Sequence, residues 1–274
     1  MKGPKVSVIC LCHNQANYVS AAMQSVLDQT YPNIELVVVD DGSDDRSKEI
    51  IQKFITNTSA QYIAIPDSIG NCKAFNRGLK IATGEYIIDL AADDVLLPTR
   101  VEKGINTFEE QEIGVEFCNV QNIDSDGQPL NVHFTADAVV PEGDIYKELI
   151  ERYFISPPGM MTKKAVFDDL GGYDENLTYE DFDFWIRSSR RYTYGYTNKI
   201  LVQKRDVANS LSKAQFQFKS AHQKSTLAVC QKIKRLNKTK QEDAALRRRC
   251  LYEIKNCLKQ GNLYLIPSFL RLCY

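Results

Sequence analysis

The chain has 274 residues, 43% hydrophobic and 25% charged, with a formal net charge of −1; that balance fits a globular protein and excludes disordered, collagenous and low-complexity classes. No stretch approaches the roughly 20 apolar residues that cross a bilayer, and the opening MKGPKVSVIC reads without the charged-then-apolar architecture of a leader. The near-zero charge is a cancellation: residues 1–203 carry 18 basic against 31 acidic side chains, net −13, and residues 204–274 carry 16 against 4, net +12.

Residues 6–12 form a compact β-branched and apolar run suited to a buried parallel strand, broken by His13-Asn14-Gln15. From Asn17 onward, Val19, Ala22, Met23, Val26 and Leu27 recur at helical spacing until Tyr31-Pro32-Asn33. Residues 34–39 predict a second strand ending at Asp40-Asp41-Gly42-Ser43. Ile50, Ile51, Phe54 and Ile55 then mark a helix for which Ser43 or Asp44 is the expected cap. Residues 62–65 predict a third strand, Ala74, Leu79 and Ile81 a helix ended by Gly84, and residues 86–90 a fourth strand. This alternation predicts right-handed crossovers and an α/β architecture, a mostly parallel sheet with helices on both faces.

Beyond about residue 112 the pattern loosens. Residues 113–120 and 128–134 read as a hairpin around Asp124-Ser125-Asp126-Gly127. A polar stretch follows to about residue 155, then a short strand and a helix over 163–170, a break at Gly171-Gly172, a helix from Tyr179-Glu180 and a strand over 192–202. The basic tail reads as largely helical, interrupted near Gly261 and Pro267.

In open parallel sheets, ligands bind beyond the carboxyl ends of the strands at a topological switch point. Here those ends are His13-Asn14, Asp40-Asp41-Gly42-Ser43 and Ala91-Ala92-Asp93-Asp94, so three polar clusters are expected at one crevice. Adjacent carboxylates such as Asp93 and Asp94 raise each other's pKa unless a cation or strong donors compensate. Beside a bound diphosphate, Mg2+ or Mn2+ would do so. The same pair, placed shortly before Pro98, equally suits a helix N-terminus. An Asp-Gly turn with a capping serine likewise needs no ligand. In the cluster from Tyr179 to Arg187, the acids suit a first helical turn, or one of them serves as general base. The eight cysteines show neither CxxC nor zinc-type spacing and read as buried free thiols of a reducing cytoplasm.

Taken in order, Val6-Ser7-Val8-Ile9 with His13-Asn14, then Val39-Asp40-Asp41-Gly42-Ser43, Asn76-Arg77-Gly78-Leu79, Gly84-Glu85-Tyr86, Asp93-Asp94, Gly171-Gly172-Tyr173-Asp174-Glu175 and Glu180-Asp181-Phe182-Asp183-Phe184-Trp185 closely resemble the family 2 glycosyltransferases. The resemblance spans about residues 6–202. It implies a GT-A fold and transfer of a sugar from a nucleotide-diphosphate sugar, a UDP-sugar by preference, to an acceptor hydroxyl with inversion. By that likeness Asp41 contacts the donor base, Asp93 approaches the ribose, and Asp94 holds the Mn2+ or Mg2+ ion bridging the diphosphate. Asp181 becomes the catalytic base, with Glu180 in support. His13 and Asn14 stand where the family usually has tyrosine and asparagine, which puts both among the expected donor contacts, with His13 either serving beside the nucleobase or only filling the place. Phe75 occupies the place of an expected arginine, whose charge Lys73 or Arg77 would replace. The implied organisation is a glycosyltransferase domain over 1–203, with a donor half over 1–112 and an acceptor half over 113–203, followed by a basic extension over 204–274.

That extension carries Lys232, Lys234, Arg235, Lys238, Lys240, Arg247, Arg248 and Arg249, with Leu246, Leu251, Ile254 and Leu258 at helical spacing. Basic amphipathic helices lie on anionic membrane surfaces. The expectation is a cytoplasmic enzyme held peripherally on the inner face of the cell membrane, acting on a saccharide or lipid-linked saccharide in bacterial surface polysaccharide or glycolipid synthesis. The alternative for the tail is a helical pair packed on the acidic body or on a second copy in a homodimer. A nucleotidyltransferase would carry a Gly-rich basic loop where this chain has Asn14-Gln15-Ala16-Asn17. The acidic body and the lack of a basic-aromatic module oppose a nucleic-acid partner. A non-catalytic nucleotide-sugar binder is opposed by the intact Asp94 and Asp181.

Overall fold

The apolar runs of the first third fold as parallel strands β1 (Val6–Cys12), β2 (Ile34–Asp41), β3 (Gln61–Ile65) and β4 (Tyr86–Ala91), joined through helices α1 (Val19–Leu27), α2 (Ser47–Ile55) and α3 (Asn71–Ile81). The computed structural model describes residues 3–207, 218 and 220–274; residues 208–217 and 219 of the basic tail lie outside the described residues. The strands lie in the order β3-β2-β1-β4. β1 pairs in parallel with β2 on one side, Cys12 opposite Asp40, and with β4 on the other, Leu11 opposite Ala91.

Strand periodicity sorts the core. Val6, Val8, Cys10 and Cys12 share one face and pack with Val19, Ala22 and Met23 of α1 and Ile51 of α2. Ile9 and Val39 face the other way, towards α3. There Gly78 admits such close approach that a Cβ would lie 2.6 Å from Ile9 Cγ2 and 3.0 Å from Val39 Cγ2. Helices therefore cover both faces, as the strand–helix alternation predicts. Each buried branched side chain contributes roughly 1.5–3 kcal/mol.

The chain continues through β5 (Val95–Leu96), α4 (Arg100–Glu110), β6 (Val115–Ile123), β7 (Pro129–Val132), α5 (Tyr146–Glu151), β8 (Met160–Lys163), α6 (Lys164–Leu170), α7 (Asp181–Ser189) and β9 (Tyr194–Arg205). Among the described residues, three α-helices follow: α8 (His222–Leu236), α9 (Lys240–Gln260) and α10 (Ile266–Leu272). The sheet extends from β4 through β8, β6 and β9 to β5. β8 runs antiparallel to β4 and β6, and β9 runs parallel to β6. β7 folds back on β6 around the predicted Asp124–Gly127 turn.

The chain divides into two compact units. The first comprises residues 1–143, 155–173 and 192–206 and holds the entire sheet. The second comprises 144–154, 174–191 and 207–274 and is helical over its described elements.

Several local expectations are corrected. Ser43 and Asp44 cap nothing: α2 begins behind Arg46, with no side-chain cap, because the Ser43 hydroxyl is drawn into bonds with Asp40 and Asn14. Asp94 does not lead into a helix either, since β5 intervenes and α4 starts at Arg100. Helix α5 lies within the stretch read as polar and irregular; Tyr146, Leu149 and Ile150 recur on one face and are buried. Pro267 does not interrupt the tail but occupies the first turn of α10, where a missing N–H costs no bond. In α9 the expected apolar stripe is split. Leu246 is buried with Arg249, Cys250, Glu253 and Cys257, whereas Leu251 and Leu258 are 52% and 61% exposed. At 100° per residue the two exposed leucines lie about 120–140° round the helix from Leu246.

Candidate functional site

The three polar clusters follow β1, β2 and β4, adjacent parallel strands with β1 between the other two. Since β2 lies to one side of β1 and β4 to the other, their shared carboxyl end is a topological switch point. The loops there are tied to one another. Asn14 has φ +56°, the only positive φ among the described residues other than glycine. In that conformation its N–H donates to Ser43 Oγ at 2.9 Å while its Oδ1 accepts from Asp44 N–H at 2.9 Å. Gln15 N–H donates to Ser47 Oγ at 2.9 Å and Ala16 N–H to Asp45 Oδ2 at 3.0 Å. His13 Nδ1 sits 2.7 Å from the Asp41 carbonyl; a carbonyl only accepts, so Nδ1 carries the hydrogen of this bond.

Asp41, 6% exposed, closes the end of β2. Its Oδ1 accepts from Ile69 N–H at 2.8 Å, and its Oδ2 from Ser68 Oγ–H at 2.8 Å and Gly70 N–H at 3.0 Å. The carboxylate thus fixes the loop that leads into α3. Gly42, at φ +68°, lies so close to that loop that a Cβ would be 2.3 Å from Ser68 N.

Asp93 and Asp94 form the turn after β4. Burial, reinforced by the neighbouring Asp93 carboxylate, pushes the Asp94 carboxyl up to about 8 against the pull of Arg205 N–H. Burial also raises Asp93. Arg205, the last residue of β9, holds this turn: its N–H donates to Asp94 Oδ1 at 2.8 Å and its Nε to Asp93 O at 3.0 Å. Its Nη1 reaches the Asp124 and Ser125 carbonyls at 3.0 and 3.1 Å, and its guanidinium lies 4.7 Å over the Tyr18 ring. No group of three His, Cys, Asp or Glu side chains among the described residues forms a complete metal cage. Two carboxylates whose charge is disfavoured, with no third protein ligand, suit a hard divalent ion that takes its other oxygens from a diphosphate and water. The donor set fits that kind of ion.

Arg77 lies on the exposed side of α3. Its neighbours have structural duties. Asn76 exchanges two hydrogen bonds with the Tyr173 backbone, at 2.9 and 3.0 Å. Phe75, fully buried, stacks on Tyr173 with centroids 4.2 Å apart and packs on Phe167 at 5.3 Å. An arginine at position 75 would bury a charge in this aromatic cluster, which explains the departure from the family pattern. Gly172, at φ +78°, is required there because a Cβ would lie 2.5 Å from Asn76 Oδ1.

Glu180 and Asp181 belong to the second unit. Glu180 is the N-cap residue of α7 and Asp181 its first residue, both half-buried, followed by the buried Phe182, Asp183, Phe184, Trp185 and Ile186. Asp183, 1% exposed, is held by Arg187 Nε at 2.6 Å and by Lys232 Nζ at 2.6 Å. The same Lys232 ammonium reaches Asp174 at 2.6 Å. Part of the tail's positive charge therefore anchors the acidic segment that carries Asp181. Packing of the basic tail on acidic residues is one of the two readings of the tail; the particular partners Asp174 and Asp183, and the role of Arg205, carry no signal beyond the charge excess itself.

Burial pushes the Asp174 carboxyl up, but Lys232 and the Asn176 N–H outweigh it and hold Asp174 at about 2. A carboxyl depressed in the folded state contributes stability that is present above its unfolded value near 3.9 and is lost as pH falls through the folded value. Replacing Lys232 by Met is expected to flatten the loss of stability between about pH 4 and 2. Urea midpoints measured across that range test this; curves for variant and parent that stay parallel would refute it.

Residues 7–171 match the family model described as Glycosyl transferase family 2. An uncharacterized glycosyltransferase of Rickettsia typhi is 30% identical over 74% of this chain. The chain spans 64% of that relative's length. TuaG of Bacillus subtilis, named for teichuronic acid biosynthesis, is 28% identical over 85% of this chain and 90% of its own. Among solved structures, Staphylococcus aureus TarS 1–349 in complex with UDP-GlcNAc matches with a TM-score of 0.74 at 18% identity, over 98% of this chain and 79% of that one. The mannosyltransferase PcManGT from Pyrobaculum calidifontis, in complex with GDP-Man and Mn2+, matches with a TM-score of 0.66 at 16% identity, over 98% of this chain and 74% of that one. At such identities the two structures speak to the fold.

Proposed function

The chain belongs to glycosyl transferase family 2 and has a GT-A fold, and from that premise we propose that it moves a sugar from a UDP-sugar to an acceptor hydroxyl with inversion, in the synthesis of a bacterial surface polysaccharide. The observation that carries this reading is the placing of three polar clusters beyond β1, β2 and β4, with the Asp93-Asp94 pair at the switch point. The names of TuaG and of the TarS complex with UDP-GlcNAc support the substrate class.

In this reading the loops after β1 and β2 receive the nucleoside. His13 and Asn14 lie beside it, Asp41 meets the base, Asp93 the ribose, and Arg77 lends charge. Asp94 would hold Mn2+ or Mg2+, which when bound screens the charge gathering on the diphosphate. Asp181 removes the proton from the acceptor hydroxyl, with Glu180 in support. The freed oxygen bonds to the anomeric carbon from the face opposite the diphosphate. The bond from that carbon to the phosphate oxygen breaks, and the nucleoside diphosphate leaves with the electron pair.

A thermal-shift screen of UDP, GDP and dTDP with and without Mn2+ tests the donor side. A nucleotide at about 100 times its Kd stabilises by about 2.7 kcal/mol, a shift on the order of 5–10 °C. UDP with Mn2+ is expected to give it, and chelation to remove it. If no nucleotide shifts the transition, or if the shift ignores metal, the reading fails.

A peripheral place on an anionic membrane is favoured by the second unit's own surface. Leu251, Tyr252, Leu258, Leu263 and Tyr264 are each more than half exposed. Arg247, Lys255 and Lys259, in the same stretch, form no ion pair among the described residues. Apolar groups amid unpaired cations match an anionic lipid interface. Vesicles rich in phosphatidylglycerol should sediment the protein at low salt and release it at high salt; equal binding to neutral vesicles would count against this.

A further inference from the structure

Within the second unit, helix α8 meets the 174–183 segment through the side chains of His222, Ser225, Thr226 and Lys232. At 100° per residue these positions fall within about 120° of one helix face. Both α8 and the segment it touches lie beyond residues 7–171, which match the family.

Lys232 Nζ lies 2.6 Å from Asp174 Oδ2 and 2.6 Å from Asp183 Oδ1, so one ammonium ties the two ends of the segment together. Between those ends, Ser225 Oγ accepts the Thr178 N–H at 3.0 Å and lies 3.0 Å from Thr178 Oγ1. Thr226 takes the next residue. Its Oγ1 lies 2.7 Å from the Tyr179 hydroxyl and donates to the His222 carbonyl at 3.1 Å. A hydroxyl has one hydrogen to give. Thr226 gives its own to His222, so Tyr179 donates to Thr226, and the Tyr153 hydroxyl, 3.2 Å away, donates to Tyr179. Burial pushes the Tyr179 phenol up, so that hydrogen is kept. The His222 ring stacks on the Tyr179 ring, with centroids 5.5 Å apart and planes at 23°.

These bonds add a kind of constraint that burial alone does not supply. Phe182, Phe184, Trp185 and Ile186 already seat α7, but apolar contact is non-directional. Hydrogen bonds have a preferred distance and angle. They fix Thr178 and Tyr179, directly before Glu180, while Lys232 fixes Asp183, two positions after Asp181. Polar restraints therefore bracket Glu180-Asp181 on both sides. Ser225 and Thr226 are each 6% exposed, and alanine or valine would fill those places as well. Their hydroxyls contribute direction. A general base must lie within hydrogen-bond reach of the proton it takes, and a misplacement on the order of 1 Å can cost about 10²-fold.

We propose that α8 is the positioning element of the catalytic base, with Ser225, Thr226 and Lys232 as positioning residues that hold the 174–183 segment so that Asp181 presents its carboxylate to the acceptor hydroxyl. This rests on the reading of Asp181 as the base.

Steady-state release of UDP from UDP-N-acetylglucosamine and from UDP-glucose, by the full chain with Mn2+ and with water as the attacking hydroxyl, tests it. Thr226→Val and Ser225→Ala are expected to lower kcat about 10–100-fold, with KM for the nucleotide-sugar and the UDP-dependent thermal shift as in the parent. Thr226→Ser, which keeps the hydroxyl, is expected to restore the parent rate. Tyr179→Phe should lose at least as much as Thr226→Val, and the double variant no more than Tyr179→Phe alone, because both changes break the same bond. Tyr146→Phe controls for general loosening. It removes a bond of like kind between α5 and Asn237, the residue that ends α8, outside the 174–183 segment, and should leave kcat unchanged. The proposal is overturned if Thr226→Val and Ser225→Ala both turn over as the parent does, if Thr226→Ser is as slow as Thr226→Val, or if Tyr146→Phe is slowed equally. Asp181→Asn is run beside them. Parent-like release in that variant removes the base and the positioning role together. Slow release there, with parent-like Thr226→Val and Ser225→Ala, removes the positioning role alone.

Discussion

Asp181→Asn is expected to bind the donor as the parent does and to lose about 10²–10⁴ in transfer rate, the usual worth of a positioned general base. The substitution is nearly isosteric, and the helix it opens is held elsewhere. Phe182, Phe184 and Ile186 are buried beneath it, and Asp183 is clamped by Arg187 and Lys232. Removing one negative charge from the first turn of α7 forfeits about 0.3–1 kcal/mol of interaction with the helix dipole, too little to unfold the unit. The loss should therefore appear in turnover and not in the UDP-dependent thermal shift. Glu180→Gln, at the N-cap, should lose less. Near-normal turnover in Asp181→Asn would show that the proton goes elsewhere.

Asp94→Asn should separate stability from activity. The Asp94 carboxyl is pushed up to about 8 by burial and by Asp93, so its ionised form is a liability to the ligand-free fold. The amide oxygen of an asparagine can still accept the Arg205 N–H that Asp94 Oδ1 accepts at 2.8 Å. Without metal, the variant should melt at the parent's temperature or above it. With Mn2+ and UDP, it should show no metal-dependent shift, and transfer should fall by 10²-fold or more, because a Lewis acid at the leaving group is worth several kcal/mol. A variant that melts normally and still transfers at the parent rate would remove Asp94 from the metal site.

The sequence was most legible where one physical constraint acts alone. A strand buried on both faces has little choice but a continuous β-branched run, so Val6 to Cys12 and Ile34 to Val39 announce themselves. Gly42 and Gly172 follow from close backbone approach, and Phe75 from an aromatic cluster, but these demands come from segments far along the chain. Tyr173 and Asn76 meet across 97 positions, and Arg205 reaches Asp94 across 111. No local pattern records such pairings. Helix α9 failed for a different reason: its apolar residues are divided between two faces, and its buried face includes Arg249 and Glu253, an i, i+4 ion pair that a search for apolar periodicity passes over. Of the site, the clusters after β1, β2 and β4 were readable as strand ends. The hydrogen bonds that fix Asp41 to the 68–70 loop were not.

The second unit is assembled from three separate stretches of chain, two of them excursions between strands of the sheet. Tyr146 from the first excursion bonds to Asn237 Oδ1 and stacks under Arg190, and Arg190 from the second pairs with Glu242 at 2.8 Å. Such a unit cannot be inherited as a cassette. Cutting the chain after residue 206 would strip Tyr146 of Asn237 and Phe182 of the Arg249 guanidinium that lies over its ring. The second unit is therefore open to change by substitution within its interlaced segments, and poorly divisible at their borders.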